Sequence, residues 1–244
     1  MLKKLLVVII LCLLVGCGKN DNELVLITEA GFAPYEFYEN GEIVGVDIEI
    51  GKEIAKELGK ELVVKDVAFD FIINEIKSGK GDIGAAGMSI NDERKEQVDF
   101  SIEYVVSNQV VVVKNDSSIK SIDDIKDKTI SVQLGTTADL YLHENYEDAN
   151  IVTQKKYLAA AEDVKSGKSD CIVMDELPAK ELVKENPELK ILDGILFTDK
   201  YGMVVKKGNK ELLDVVNKVL QRLIDENKIE EYIIKYSEWV FLMI

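Results

Sequence analysis

Short strand-like apolar runs alternate with amphipathic helical ones from Leu24 to Leu223. That alternation confines the chain to α/β folds with largely parallel sheets. Leu24-Val25-Leu26-Ile27 opens the series, and Asn40-Gly41 between Glu36-Phe37-Tyr38 and Ile43-Val44 predicts a tight hairpin. Asp47 is expected to cap a helix carrying Ile48, Ile50, Ile54, Ala55 and Leu58, with Gly59 as its stop. Leu62-Val63-Val64 predicts the next strand, and Phe71, Ile72 and Ile76 the inner face of the next helix. The rhythm continues through Ile130-Ser131-Val132, residues 138–146, Ile151-Val152, residues 157–164 and Cys171 to Met174. Leu212, Val215, Val216, Val219, Leu220 and Leu223 then share one helical face. Two extended runs, Val105-Val106 with Gln109 to Val113, and Tyr201 to Val205, have no helix directly before them. Segments of that kind can join two lobes.

The amino terminus reads as an address rather than as structure. Lys3 and Lys4 precede an apolar run from Leu5 to Val15, which is well short of the roughly 18 residues of a membrane span. A basic start, a short apolar segment and small residues at its end make a secretory signal peptide. Leu14-Val15-Gly16-Cys17 resembles the lipobox of bacterial lipoproteins. That resemblance implies removal of residues 1–16 and lipidation of Cys17, with palmitate-type chains holding the protein on the outer face of the cytoplasmic membrane. Two or more such chains anchor stably, at about 0.8 kcal/mol per buried CH₂. Gly18-Lys19-Asn20-Asp21-Asn22 would be a polar linker, so that residues 17–22 form the tether.

Cys12 leaves with the signal, and Cys171 is left in an apolar run, where a small core residue fits. The whole chain has 45 acidic and 30 basic residues, and loss of Lys3 and Lys4 deepens its net charge of −15. Such a surface disfavours nucleic acid, whose phosphates need Lys and Arg patches.

Three stretches carry candidate chemistry. Gly87-Met88-Ser89-Ile90-Asn91-Asp92-Glu93-Arg94 follows a strand-like run and opens a short helix capped at Asn91 or Asp92. Free N–H groups at such a start favour an anion, and Arg94 adds a fork for a carboxylate. An Arg94 paired with Asp92 or Glu93 on a solvated face fits the same residues. Gly135-Thr136-Thr137 opens a second helix in the same manner, where Thr136 or Thr137 either binds an anion or caps its own helix. Asp175 ends the strand from Cys171 and precedes a helix, at the sheet end where α/β proteins bind ligands. It either holds a cation or caps the helix.

Other matches lead nowhere. Gly79-Lys80-Gly81-Asp82-Ile83-Gly84 has dinucleotide-site spacing but follows a helix and enters a strand, the reverse of the required order. His143 is the sole histidine and has no cluster of Cys or Asp around it, so neither a Ser-His triad nor a zinc site is expected. No metal or cofactor is expected at all.

Four segments together resemble the polar amino-acid solute-binding proteins of ABC importers (bacterial extracellular solute-binding protein family 3). They are Phe32-Ala33-Pro34-Tyr35-Glu36-Phe37, Val44-Gly45-Val46-Asp47, the run Lys77 to Ser101, and Gln133-Leu134-Gly135-Thr136-Thr137. The likeness extends from about Leu24 to Tyr236. It implies a two-lobed periplasmic-binding-protein-like (type II) fold with crossing hinge strands. Lobe 1 would comprise 23–103 and 202–244, the hinge 104–108 and 196–201, and lobe 2 109–195. It also implies a monomer that binds a free amino acid and delivers it to an ABC permease.

Arg94, the Ser89 amide and Thr137 would hold the ligand α-carboxylate, with Thr136 supporting the turn. Asp175 and the Gly87 carbonyl would hold the α-ammonium. Phe32 and Phe69 would stack on either side of the ligand side chain, although both also adjoin apolar runs and fit a core. Glu29 would reach the ligand's polar end, which leans the choice toward a basic or polar side chain. Two other functions use similar scaffolds, a cyclohexadienyl-dehydratase-like enzyme and a ligand sensor. The intact amino-acid grip and the lipobox favour a binder over an enzyme.

Overall fold

An unbroken apolar run belongs where a strand is covered on both faces, and β1 (Glu23–Thr28) occupies such a place. The hairpin β2 (Phe37–Glu39) and β3 (Glu42–Val44) follows, turned by Asn40 and Gly41 with φ of 51° and 86°. Next come α1 (Val46–Leu58), β4 (Glu61–Asp66), α2 (Ile72–Lys77), β5 (Ile83–Gly84), α3 (Asp92–Gln97) and β6 (Val98–Phe100). β7 (Val105–Lys114) carries the chain into a second layer of β8 (Thr129–Gln133), α4 (Thr137–Asn145), β9 (Asn150–Gln154) and α5 (Tyr157–Lys165). β10 (Cys171–Asp175), α6 (Glu176–Glu185) and β11 (Leu189–Ile191) complete it. β12 (Phe197–Tyr201) leads back to β13 (Val204–Lys206), α7 (Lys210–Asp225) and α8 (Lys228–Glu238).

This computed structural model describes residues 21–238. The signal segment, Cys17 with most of its tether, and the tail 239–244 lie outside the described residues.

The strands form two lobes. One sheet has the order β4-β1-β5-β13-β6; the other has β11-β7-β10-β8-β9, with β12 paired to β7. β4-β1-β5 and β10-β8-β9 are parallel, as the alternating elements predict, whereas the pairs made by β13 and β7 are antiparallel. The antiparallel pairs arise where the chain passes between lobes without a crossover helix. β12 pairs with β7 from Phe197 opposite Gln109 to Tyr201 opposite Val105, so the outgoing and returning connections brace each other. Cys171 is fully buried in the second lobe's core, which pushes its thiol up to about 12. Among the described residues no helix is long and apolar enough to cross a membrane.

Two local expectations are corrected. Asp47 does not cap α1; Gly45 holds the N-cap position, and the Asp47 side chain is fully buried inside the first turn. Gly45 has φ 130°, and a Cβ there would lie 2.1 Å from the Tyr35 carbonyl oxygen. Only glycine lets the helix start so close to the Phe32–Phe37 segment. Phe71 is half exposed, while Phe69 is buried in its place. A 3₁₀ turn over Phe69–Phe71 precedes α2, and at three residues per turn Phe69, not Phe71, lines up with Ile72.

Gly45→Ala is expected to destabilise the fold by about 3 kcal/mol, the combined effect of a strained backbone and the carbonyl clash. Urea unfolding checks this, and a midpoint matching the parent's would count against it.

Candidate functional site

A small cavity of about 10 Å³ lies where the lobes meet. Glu29, Phe32, Phe69, Gly87, Ser89 and Arg94 line it from the first lobe, and Thr136, Thr137 and Asp175 from the second. Every site residue read from the sequence therefore reaches one cavity. Glu36, Ala86, Gln133 and Tyr157 complete the wall.

Arg94 is 5% exposed, which rules out the solvated-face arrangement. The Asn91 side chain caps α3 by accepting the Arg94 N–H at 2.8 Å, and this fixes where the side chain starts. The guanidinium donates to the Ser89 carbonyl at 2.6 Å and, across the lobes, to the Gly135 carbonyl at 2.9 Å. Its carbon sits 5.3 Å from the centre of the Phe69 ring. Burial pulls its pKa down to about 10, against the opposing pull of Asp199, Glu93 and Asp175, so it stays a cation at neutral pH. Ser89 and Thr137 share a hydroxyl hydrogen bond of 3.2 Å, and Thr137 donates to Asp199 on β12 at 2.6 Å. Thr136 caps α4, accepting from the Asp139 N–H and donating to the Gln133 carbonyl. A capping role and a place on the cavity wall thus coexist at Thr136.

Asp175 occupies the N-cap position of α6 but makes no side-chain cap bond. Its buried carboxyl instead accepts from Tyr201 Oη. Burial pushes it up to about 6, while bonds from Tyr201, Gln109 and Ser107 pull the other way. The floor beside it is a second acidic cluster. Gly87 has φ 51°, with room for a Cβ denied by the Phe32 ring at 2.7 Å. Its N–H donates to Asp47 at 3.0 Å, and Tyr104 donates to the other Asp47 oxygen at 2.7 Å. Glu36 is fully buried beside Asp47, and neither of its carboxyl oxygens has a hydrogen-bond partner among the described residues. Burial and the Asp47 charge hold Glu36 well above the usual carboxylate range, while burial pushes Asp47 up to about 6. Burial thus favours the neutral form of both carboxyls.

Both candidate aromatics lie on the cavity wall and each has a partner there. Phe32 stacks on Tyr157 of the opposite lobe, with centres 5.5 Å apart, while Phe69 faces Arg94. Glu29 is 2% exposed and already has a cationic neighbour: Lys156 Nζ lies 2.8 Å from one oxygen and Gln133 Nε2 donates to the other at 3.3 Å. Burial lowers the Lys156 pKa, but Glu29 and Asp66 outweigh it and hold the ammonium above the ordinary lysine range.

Sequence reading missed Lys156, Tyr157, Gln133 and Glu36 as parts of the site. Glu36 and Gln133 lay inside quoted segments without a role. Lys156 carried its own signal, a cation at the N-cap of a helix where Ser, Thr, Asp or Asn is the rule. His143 is exposed, and no group of side chains suited to a metal occurs among the described residues.

Two α/β lobes, joined by paired strands and meeting at a cavity lined from both, give the architecture of amino-acid solute-binding proteins. The model of the bacterial extracellular solute-binding proteins, family 3, matches residues 24–238, and the chain belongs to that family. The arginine-binding extracellular protein ArtP of Bacillus subtilis is 30% identical over 95% of this chain and 96% of its own length. The amino acid ABC transporter substrate-binding protein AbpA of Streptococcus pneumoniae, solved with L-arginine, superposes with a TM-score of 0.85. It is 32% identical, over 89% of this chain and 95% of its own. An ancestral arginine-binding protein solved with glutamine gives a TM-score of 0.83 at 38% identity, over 89% and 99% of the two chains. These relatives are binding proteins, in line with the expected absence of catalysis.

Asp47 titrates at about 6 in the fold and near 4 when unfolded, and Glu36 is raised in the same sense. The unfolded chain therefore releases these protons first. Their contribution to stability is complete below about pH 4 and is lost as pH rises through about 6 and beyond. Glu36→Gln puts an amide that cannot ionise beside Asp47. The variant is expected to be more stable than the parent at about pH 8, by about 1–3 kcal/mol, with little difference at about pH 4.5. Urea unfolding at both pH values checks it; equal destabilisation at both would contradict the raised titration of these buried carboxyls.

Proposed function

We propose that this chain is a lipid-anchored receptor that closes around one free amino acid and presents it to an ABC permease. The observation that carries this reading is a buried cation, Arg94, and a buried carboxyl, Asp175, on the walls of one cavity. A free amino acid brings the two complementary charges. Arg94 spends one N–H on each of two carbonyls, which leaves donors for an α-carboxylate, with the Ser89 amide and Thr137 beside it and Thr136 holding the turn. Asp175 and the Gly87 carbonyl take the α-ammonium. Phe32 and Phe69 border the side chain, and Glu29 meets its polar end.

Closure supplies the signal to the permease. Lobe 1 is assigned to 23–103 and 202–244, lobe 2 to 109–195, and the hinge to 104–108 and 196–201, all within one monomer. The pairing of β7 with β12 supports a hinge there. Relatives named for arginine, and a relative solved with glutamine, support a basic or polar ligand. Family membership supports export, and the Leu14-Val15-Gly16-Cys17 sequence supports lipid at Cys17.

Isothermal titration of the protein lacking its signal, unfolded and refolded to remove carried-over ligand, is expected to find tight binding of one or a few amino acids. Arg94→Ala and Asp175→Asn should each weaken that binding by at least about 100-fold, the scale of two charge-assisted bonds. A folded protein silent to every common amino acid would overturn the proposal. In cells fed labelled palmitate, the parent should take up label and Cys17→Ser should not. Equal labelling of both would exclude Cys17 as the anchor.

A further inference from the structure

Lys156 is a costly choice for its position. It is the N-cap of α5 and makes no side-chain cap bond, and its positive charge sits at the positive end of the helix. Local helix chemistry favours almost any polar residue there over lysine. What the position supplies is reach across the cleft. The ammonium lies 2.8 Å from Glu29 and 3.8 Å from Asp66, both on the opposite lobe. Glu29 is 2% exposed, and Gln133 donates to its other oxygen at 3.3 Å. Lys156 is therefore the counter-ion of a buried cavity carboxylate, supplied from the opposite lobe.

We propose that Lys156 is a specificity-determining residue that sets the distal end of the cavity against positively charged ligand side chains and in favour of uncharged hydrogen-bonding ones. The inference rests on the amino-acid receptor function proposed above and narrows its ligand class. A ligand with a terminal amide can donate to Glu29 while its carbonyl accepts from Gln133 or Lys156. The Glu29–Lys156 bridge between the lobes then stays intact in the closed form. A ligand with a terminal cation must displace Lys156 from Glu29 or sit beside it. Either way closure gains less, because a ligand shifts the lobes only by its differential contacts with the closed state. The Lys156 side chain is 44% exposed, so it can leave the bridge and can be replaced without disturbing the core.

The test is titration of the parent, Lys156→Gln and Lys156→Arg, each freed of carried-over ligand, with arginine as the cationic probe and glutamine as the uncharged one. Lys156→Gln is expected to shift the arginine-to-glutamine affinity ratio toward arginine by at least about tenfold, the scale of one charge-assisted interaction. Lys156→Arg, which keeps the charge, should stay within about twofold of the parent's ratio. An unchanged ratio in a Lys156→Gln protein that still binds both probes overturns the inference alone. So does an equal shift in Lys156→Arg, which would assign the effect to shape. A parent that binds no amino acid overturns the inference together with the receptor function beneath it.

Discussion

The burial of one guanidinium governs the cleft. A charge removed from water must be paired and hydrogen-bonded, and Arg94 at 5% exposure meets that demand only with both lobes present. Ser89 supplies one acceptor from its own lobe and Gly135 supplies another from across the cavity. Asp175 and Asp199 add opposite charge from the far wall. Separation of the lobes removes the Gly135 acceptor and returns part of the guanidinium to water. The contact between the lobes thus has an electrostatic basis of its own, and on the proposed function a ligand carboxylate adds to it.

Closure can be weighed in the same terms. Moving a population from mostly open to mostly closed takes roughly 5.5 kcal/mol of differential affinity. Two charge-assisted bonds made only in the closed form, at about 1.5–3 kcal/mol each, nearly reach that figure. The Glu29–Lys156 bridge and the Phe32–Tyr157 stack are further contacts that exist only between lobes. With several such terms already in place, side-chain selectivity turns on which of them a ligand preserves. The acidic floor has a different task. Asp47 fixes the Gly87 amide and Tyr104 fixes Asp47, so a strained backbone stays aimed at the cavity.

Much of this was readable in the residues. Apolar periodicity marked β1, α1, α4, α5, β10 and α7, since each buries a continuous run or a helical stripe, and marked β4 as well, whose apolar residues are half-buried. Helix starts at Asn91 and Thr136 followed from local hydrogen bonding that needs no tertiary partner. Where sequence reading erred, a tertiary contact had overridden the local rule. Asp47 has the chemistry of a cap but is drawn inward by the Gly87 N–H and the Tyr104 hydroxyl. Phe71 is apolar yet half exposed, because one 3₁₀ turn changes the phase of the helix that follows.

The sequence alone determined the α/β class, the hairpin, the caps at Asn91 and Thr136, the net charge, the signal-like start and a set of residues that line one cavity. All of these depend on neighbours within a few positions, or on a pattern of residues that can be matched segment by segment. Tertiary structure decided which donor meets which acceptor across the cleft. Lys156 against Glu29, Tyr157 against Phe32 and Arg94 against Gly135 join residues 41 to 127 positions apart in the chain. No local propensity encodes such pairs, because each energy exists only once two separately folded lobes have met.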